Sequence, residues 1–296
     1  MECYERSSQV AQKLLGVTVS DSTIYRLTDA VGESVKEVID GDTCRDELAL
    51  EEEDLLYVQV DGSMLLTRSE SWKEVKLGRV FKSSAILPES KGRRWIRDSE
   101  YVAHFGNHVE FEDLMSKLID EPYRKHEDQI VFIGDGARWQ WSWAESEYPN
   151  SVQILDYYHA MEHIGRYLQV VKNKKGEVHY VMKKMGTMLK ERGLPSVERY
   201  LDNIPKESKV KQEAYSKLMT YINNNRSKMQ YPEYIKKGYL IGSGAIESAH
   251  RTVLQKRMKQ SGQRWSKRGL INMVKLRSAS MSGSWNEIQT IIRLAA

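Results

Sequence analysis

The sequence predicts an α/β protein: a mixed sheet flanked by helices, with a small helical segment before it and an all-helical insertion after the main strands. Three observations carry this expectation. Apolar runs of strand length, some alternating and some continuous, cluster between residues 55 and 155. Stretches of helical spacing separate and follow them. From Asn173 to Lys237 the chain is polar, lysine-rich and helical in pattern, divided by Pro195, Pro205 and Pro232. The order strand-strand-strand-helix-strand-helix-strand-helix, followed by helices, is that of a mixed sheet with an insertion.

Taken in order, residues 7–39 read as two helices. "SSQVAQKLLG" stops at Gly16, and the next helix starts after Ser20 or Asp21, both good N-caps. This is a helix-turn-helix pattern whose second helix, around Thr23, Tyr25 and Arg26, would be the reader; an ordinary helical hairpin fits it equally well. "DGDTCRDELALEEED" reads as an acidic linker. "LLYVQVDGSML" is strand-like, with Val58 and Val60 on one face and Tyr57, Gln59 and Asp61 on the other. "WKEVKLGRVFKSS" and "RRWIRDSEYVAHFG" are further strands on either side of a loop, "ILPESKG". Residues 108–125 look helical. "DQIVFIGDGA" is a strand ending on Asp135, "SVQILDYY" is a short strand, and "HAMEHIGRYLQVV" returns to helical spacing. The expected organisation is a helix-turn-helix-like segment over 1–41, a linker over 42–54, the first part of the sheet domain over 55–171, a helical insertion over 172–237 and a C-terminal helical part over 238–296.

At 296 residues and 40% hydrophobic content the chain can bury a substantial core. The net charge of +4 names no partner, but its distribution does more. From Asp29 to Asp54 there are eleven acids and two basic residues. From Glu247 to Trp285 nine Lys and Arg follow with no further Asp or Glu. A basic C-terminal part points to a polyanion, nucleic acid above all, against the plainer reading of a solvated face. Two cysteines, Cys3 and Cys44, build neither a disulfide framework nor a four-ligand zinc site. No apolar run has the length of a membrane span, and the N-terminus lacks a signal-peptide core, so a cytoplasmic protein without a membrane partner is expected.

Two aspartates stand at similar places: Asp61 after "YVQV" and before Gly62, Asp135 after "VFIG" and before Gly136. Asp-Gly is a common turn dipeptide, and for either one alone a turn is the plainer reading. Two such carboxylates on strands that could be neighbours also suit a divalent cation held by oxygens. Glu247, early in the helix that opens at "GSG", gains from the helix dipole in any case, and could complete such a site. Two hard cations held by carboxylates activate a water or hydroxyl and stabilise the leaving oxygen in phosphoryl transfer. The cations after Glu247 would then grip the phosphate backbone.

Together "VDGSM", "GDGARWQW", "ILDYYHAMEH", "IGSGAIESAHRTVLQKRMKQSGQRWS" and "LRS" resemble the DDE transposases of insertion sequences, specifically the Kra group, which is similar to the Mutator-like transposases. The resemblance covers roughly residues 4–286. It implies an RNase H-like catalytic domain with a helical insertion between the second and third acids. By motif position Asp61 matches the first catalytic Asp, Asp135 the second and Glu247 the Glu, together holding two Mg²⁺ or Mn²⁺. Asp156 and His159 match a D-x-x-H element, which would place His159 near the metal or the scissile phosphate; a polar residue at a strand-to-helix junction is the plainer reading of His159. The implied partners are double-stranded DNA, both transposon terminal repeats and target, and further copies of the chain; the implied location is the nucleoid. Such transposases usually carry a longer N-terminal DNA-binding part, so the chain fits a compact member or a truncated copy. An RNase H-like nuclease that cuts without joining, and a degenerate or domesticated copy that only binds DNA, are the alternatives.

Candidate DNA contacts follow from composition. Arg251, Lys256, Arg257, Lys259, Arg264, Lys267 and Arg268 crowd one acid-free stretch, with Trp265 expected to anchor its turn in the core. Trp139, Trp141 and Trp143 alternate; in a helix, alternate residues diverge by about 200°, so some belong to the core. Trp139 or Trp141 would be the one to stack on a base.

Overall fold

The computed structural model describes residues 4–39, 50–51, 53–89, 94–172 and 175–294. Most of the expected acidic linker lies outside the described residues, as do Cys3 and Cys44. The fold is mixed α/β, with a five-stranded mixed sheet flanked by helices. No described helix is long and apolar enough to cross a membrane. The chain divides into two compact units. One comprises Met1–Ile130, Glu147–Asn150 and Gly244–Ala296; the other comprises Val131–Ser146 and Ser151–Ser243.

The first unit opens with two helices, α1 (Tyr4–Leu15) and α2 (Asp21–Ile39). Gly16 ends α1 with φ 67°, a left-handed conformation that glycine adopts without strain. Ser20 caps α2, its Oγ accepting from Thr23 N at 3.1 Å. A long hairpin follows, β1 (Leu56–Thr67) paired antiparallel with β2 (Ser71–Lys82), from Leu56 opposite Lys82 to Thr67 opposite Ser71. Asp61 and Gly62 lie inside this strand, as the strand-like pattern of residues 55–65 predicts and the plainer turn reading of Asp-Gly does not. The strand runs on for five residues past Gly62, and a Cβ there would meet the Glu74 carboxylate at 2.1 Å. Gly62 thus provides room for a cross-strand side chain, and the reversal comes at residues 68–70. The expected loop at "ILPESKG" contains a short strand: β3 (Ile86–Pro88) pairs with β4 (Arg94–Ile96). β5 (Glu100–Phe105) then adds antiparallel to β2, and α3 (His108–Tyr123) follows.

Helices cover both faces of this three-stranded part, which is why residues 56–60 are buried on both sides. A Cβ at Gly78 would strike the Met115 sulfur of α3 at 2.2 Å, so α3 lies against the face to which Gly78 belongs. Arg79, next along β2 and hence on the opposite face, donates to the carbonyl of Ala245 at 2.7 Å. That carbonyl belongs to α10 (Gly244–Ala249), which continues through a π-helical stretch (His250–Gln255) into α11 (Lys256–Met258). Trp265 anchors the next turn as expected. It is buried, donates from Nε1 to Met258 O at 3.1 Å, and its backbone bridges to Leu66 and Arg68. α12 (Lys267–Met281), capped by Ser266, and α13 (Trp285–Leu294) complete the unit.

The second unit contains β6 (Ile130–Gly134), which runs in from the first, α4 (Arg138–Glu147), β7 (Val152–Leu155), parallel to β6, and α5 (Tyr157–Val171). Four more helices follow: α6 (Lys175–Glu191), α7 (Leu194–Asp202), α8 (Lys209–Asn225) and α9 (Tyr231–Lys236). The described part of 172–237 is therefore helical without a strand. It shares a unit with β6 and β7. The reason is visible in two phenols: Tyr231 donates to Leu155 O at 3.0 Å and Tyr234 to Gln153 O at 3.2 Å, tying α9 to β7.

Candidate functional site

In the first unit, β1 carries Asp61 and α10 carries Glu247. Gln59, wholly buried, accepts from the backbone N–H of Ile246 at 2.9 Å across 187 residues of sequence. Its register partner Arg79 holds the neighbouring carbonyl of Ala245. Burial pushes the Arg79 guanidinium below its ordinary range. Two paired strand residues thus clamp the first turn of the helix that bears Glu247. One helical turn on, His250 sits over Asp61, with Nε2 3.2 Å from Oδ2. The match is geometric: two residues along a strand advance about 6.6 Å, and four along a helix about 6 Å. The Asp61 carboxylate is partly exposed and accepts from Gly62 N at 2.7 Å. Glu247 is exposed, and among the described residues its carboxylate has no hydrogen bond or ion pair.

In the second unit, Asp135 ends β6. Its Oδ1 accepts from Ala137 N at 2.9 Å, and Gly136 takes φ 96°, so the turn reading holds for this Asp-Gly. Oδ2 has no hydrogen bond among the described residues and stays available. Tyr221 of α8 donates to the Asp135 carbonyl at 3.4 Å and stacks on His163 of α5, with ring centres 3.6 Å apart and planes 4° apart. Burial raises the Tyr221 phenol, and the charges of Asp135 and Asp156 raise it further. Burial, then the neighbouring His159, lowers His163 to about 4. His159 is partly exposed, 3.9 Å from the Glu162 carboxylate.

Asp156, the acid of the D-x-x-H stretch, is engaged with its neighbours. It is buried and saturated: Oδ1 caps α5 through Tyr158 N at 2.9 Å and accepts from Ser243 N, while Oδ2 accepts from Ser243 Oγ at 2.6 Å. The "GSG" stretch is shaped by this contact. A Cβ at Gly242 would meet the Tyr158 ring at 2.8 Å, and Ser243 supplies the hydroxyl.

Among the expected DNA contacts, Arg251, Lys256, Lys259, Arg264, Lys267 and Arg268 are exposed. Arg257 is not. It is buried, with its guanidinium 4.7 Å from the Tyr4 ring and 5.0 Å from that of Trp265, which corrects its place among the surface cations. Arg268 is engaged with Asp29 at 2.9 Å and Glu33 at 2.7 Å. Trp141 is also corrected: it is buried, with Nε1 on Asn225 Oδ1 at 3.1 Å, and offers no free face to a base. Trp143 is buried edge-on to Phe132, and Trp139 is half-buried.

The sequence reading missed Gln59, Arg79, Tyr221 and His250. Only His250 left a signal: the spacing Glu-x-x-His puts an acid and an imidazole on one helical face, as metal-binding helices do. The carboxylate oxygens of Asp61, Asp135 and Glu247 are of the hard type that Mg²⁺ or Mn²⁺ takes. Among the described residues of either unit, no three His, Cys, Asp or Glu side chains are gathered as a metal cluster.

Fold and residues define a mixed α/β protein with motif carboxylates at the end of one strand, midway along another and in a helix clamped to that second strand. The chain belongs to the Uncharacterised protein family (UPF0236), whose model matches residues 1–291. No curated protein matches it.

Proposed function

We propose that this chain is a DDE transposase with an RNase H-like catalytic domain: a metal-dependent DNA endonuclease and strand-transferase. Three antiparallel strands, a helix, and two parallel strands with their helices are the element order that this fold class has. The observation that carries the reading is the clamp of Gln59 and Arg79. It brings the helix of Glu247 onto the strand of Asp61, although the two lie far apart in sequence. A structural carboxylate in a helix would need no such delivery to a second one.

Asp61, Asp135 and Glu247 would hold two Mg²⁺ or Mn²⁺, which supply charge neutralisation at the attacking and leaving oxygens. Water forms a bond to phosphorus at the transposon end, the bond to the 3′-oxygen breaks, and that oxygen leaves as a 3′-hydroxyl. The hydroxyl then attacks target DNA in the same way. Asp135, with one oxygen fixed by Ala137 N–H, presents the other in a set direction. His159, partly exposed, stands near the substrate in this reading, and the exposed cations after Glu247 hold phosphates.

Asp135→Asn keeps size and removes charge. It abolishes cleavage of a duplex taken from the DNA flanking the gene, while the Kd for that duplex changes less than about threefold, since phosphate contacts dominate affinity. Parallel loss of binding and cleavage at an unchanged melting temperature would instead make Asp135 part of the DNA interface. Strand transfer from pre-cut ends separates a transposase from a nuclease that only cuts.

A further inference from the structure

His250 is the buried residue that stands against Asp61. It is 3% exposed, and among the described residues neither ring nitrogen has a hydrogen bond. A buried imidazole without a hydrogen bond is unfavourable, so such a group calls for an account. Nε2 is 3.2 Å from Asp61 Oδ2 but is not aligned to donate to it. That separation has another reading. Two ligands each about 2.1 Å from one ion, at angles between octahedral and tetrahedral, lie about 3.0–3.4 Å from each other. His250 also begins the π-helical stretch, where a widened turn shifts the side-chain register; such insertions concentrate at functional sites. Glu247 precedes it by three residues, on the same face.

We propose that His250 is a metal ligand beside Asp61, which makes this a mixed nitrogen–oxygen site that holds Mn²⁺ in preference to Mg²⁺. The proposal rests on the reading of Asp61 as a metal ligand. Imidazole nitrogen favours transition metals, whereas carboxylate and water alone suit Mg²⁺.

The test is Mn²⁺ binding to the full chain, with affinity measured by electron paramagnetic resonance and nitrogen ligation by electron spin-echo modulation. The expected result is a histidine ¹⁴N modulation in the wild type that disappears in His250→Gln, with Mn²⁺ affinity lowered roughly tenfold or more and an unchanged melting temperature. His250→Phe serves as the second variant if glutamine unfolds the helix, and ¹⁵N-histidine labelling identifies the nitrogen in the unaltered protein. Mn²⁺ binding that is lost in Asp61→Asn but shows no nitrogen modulation overturns the ligation by His250 and leaves the reading of Asp61 standing. Mn²⁺ binding indifferent to Asp61→Asn overturns both.

Discussion

At the scale of the residue, burial decides what each polar group does. Asp156 and Asp61 are both aspartates near the ends of apolar runs. Asp156 is buried with its oxygens spent on a cap and a hydroxyl, whereas Asp61 keeps solvent access. The first is structural and the second available, a distinction no motif spells out. His163 makes the same point in its protonation. Burial and the nearby His159 hold its ring neutral to about 4, below the ordinary 6.5. Between those values the unfolded chain binds a proton that the folded ring refuses. Stability therefore falls as pH drops from 6.5 towards 4, and the penalty is absent above 6.5. His163→Phe keeps a ring against Tyr221 and removes the proton. The fall in melting temperature from about pH 7 to about pH 4.5 is expected to be shallower in this variant. An identical fall in both proteins would assign the acid sensitivity to other groups.

At the scale of the element, packing overrides what each segment reads as alone. α2 is exposed in its first half and packed in its second. Tyr25 and Arg26 are exposed, but further along, a Cβ on Gly32 would meet the backbone oxygen of Asn272 in α12 at 2.6 Å. Asn272 in turn donates to the Asp29 carboxylate at 2.8 Å. Gly32→Val overfills that crossing, and a loss of about 1–3 kcal/mol is expected in urea unfolding; an unchanged midpoint would mean that the two helices do not depend on this contact. The strands β2, β5, β6 and β7 were legible because period-two alternation or an unbroken apolar run belongs to the segment itself. β1 was legible as far as Leu65, although "DG" carries a turn propensity of its own that cross-strand pairing with residues 71–76 overrides. The π-helical stretch was invisible: one widened turn hardly changes a hydrophobic pattern. The candidate acids themselves were legible from motif order, whereas Gln59 and Arg79 were not. Each is a polar residue inside an apolar strand, and only the partner on α10 explains it.

At the scale of the whole molecule, charge is separated along the chain, acidic before β1 and basic after Glu247. Counting basic residues there overstates what DNA would meet, because the fold withdraws some of them. Arg257 lies between the rings of Tyr4 and Trp265, and Arg268 is paired with two acids of α2. Lys256 and Lys259, on either side of Arg257, remain exposed. Each phosphate contact releases condensed counterions and contributes about 0.9 to the slope of log K against log salt on duplex DNA. Lys256→Ala with Lys259→Ala is therefore expected to flatten the slope by roughly 1.8 and to leave the melting temperature nearly unchanged. Arg257→Ala is expected to do the reverse: it removes two cation–π contacts and a buried packing group, lowers the melting temperature, and leaves the slope where it was. Both quantities come from the same purified proteins, by fluorescence anisotropy over a salt series and by thermal denaturation. If Arg257→Ala flattened the slope at an unchanged melting temperature, the guanidinium would have to leave its aromatic slot on DNA, and the basic segment would be remodelled by its ligand rather than presented ready-made.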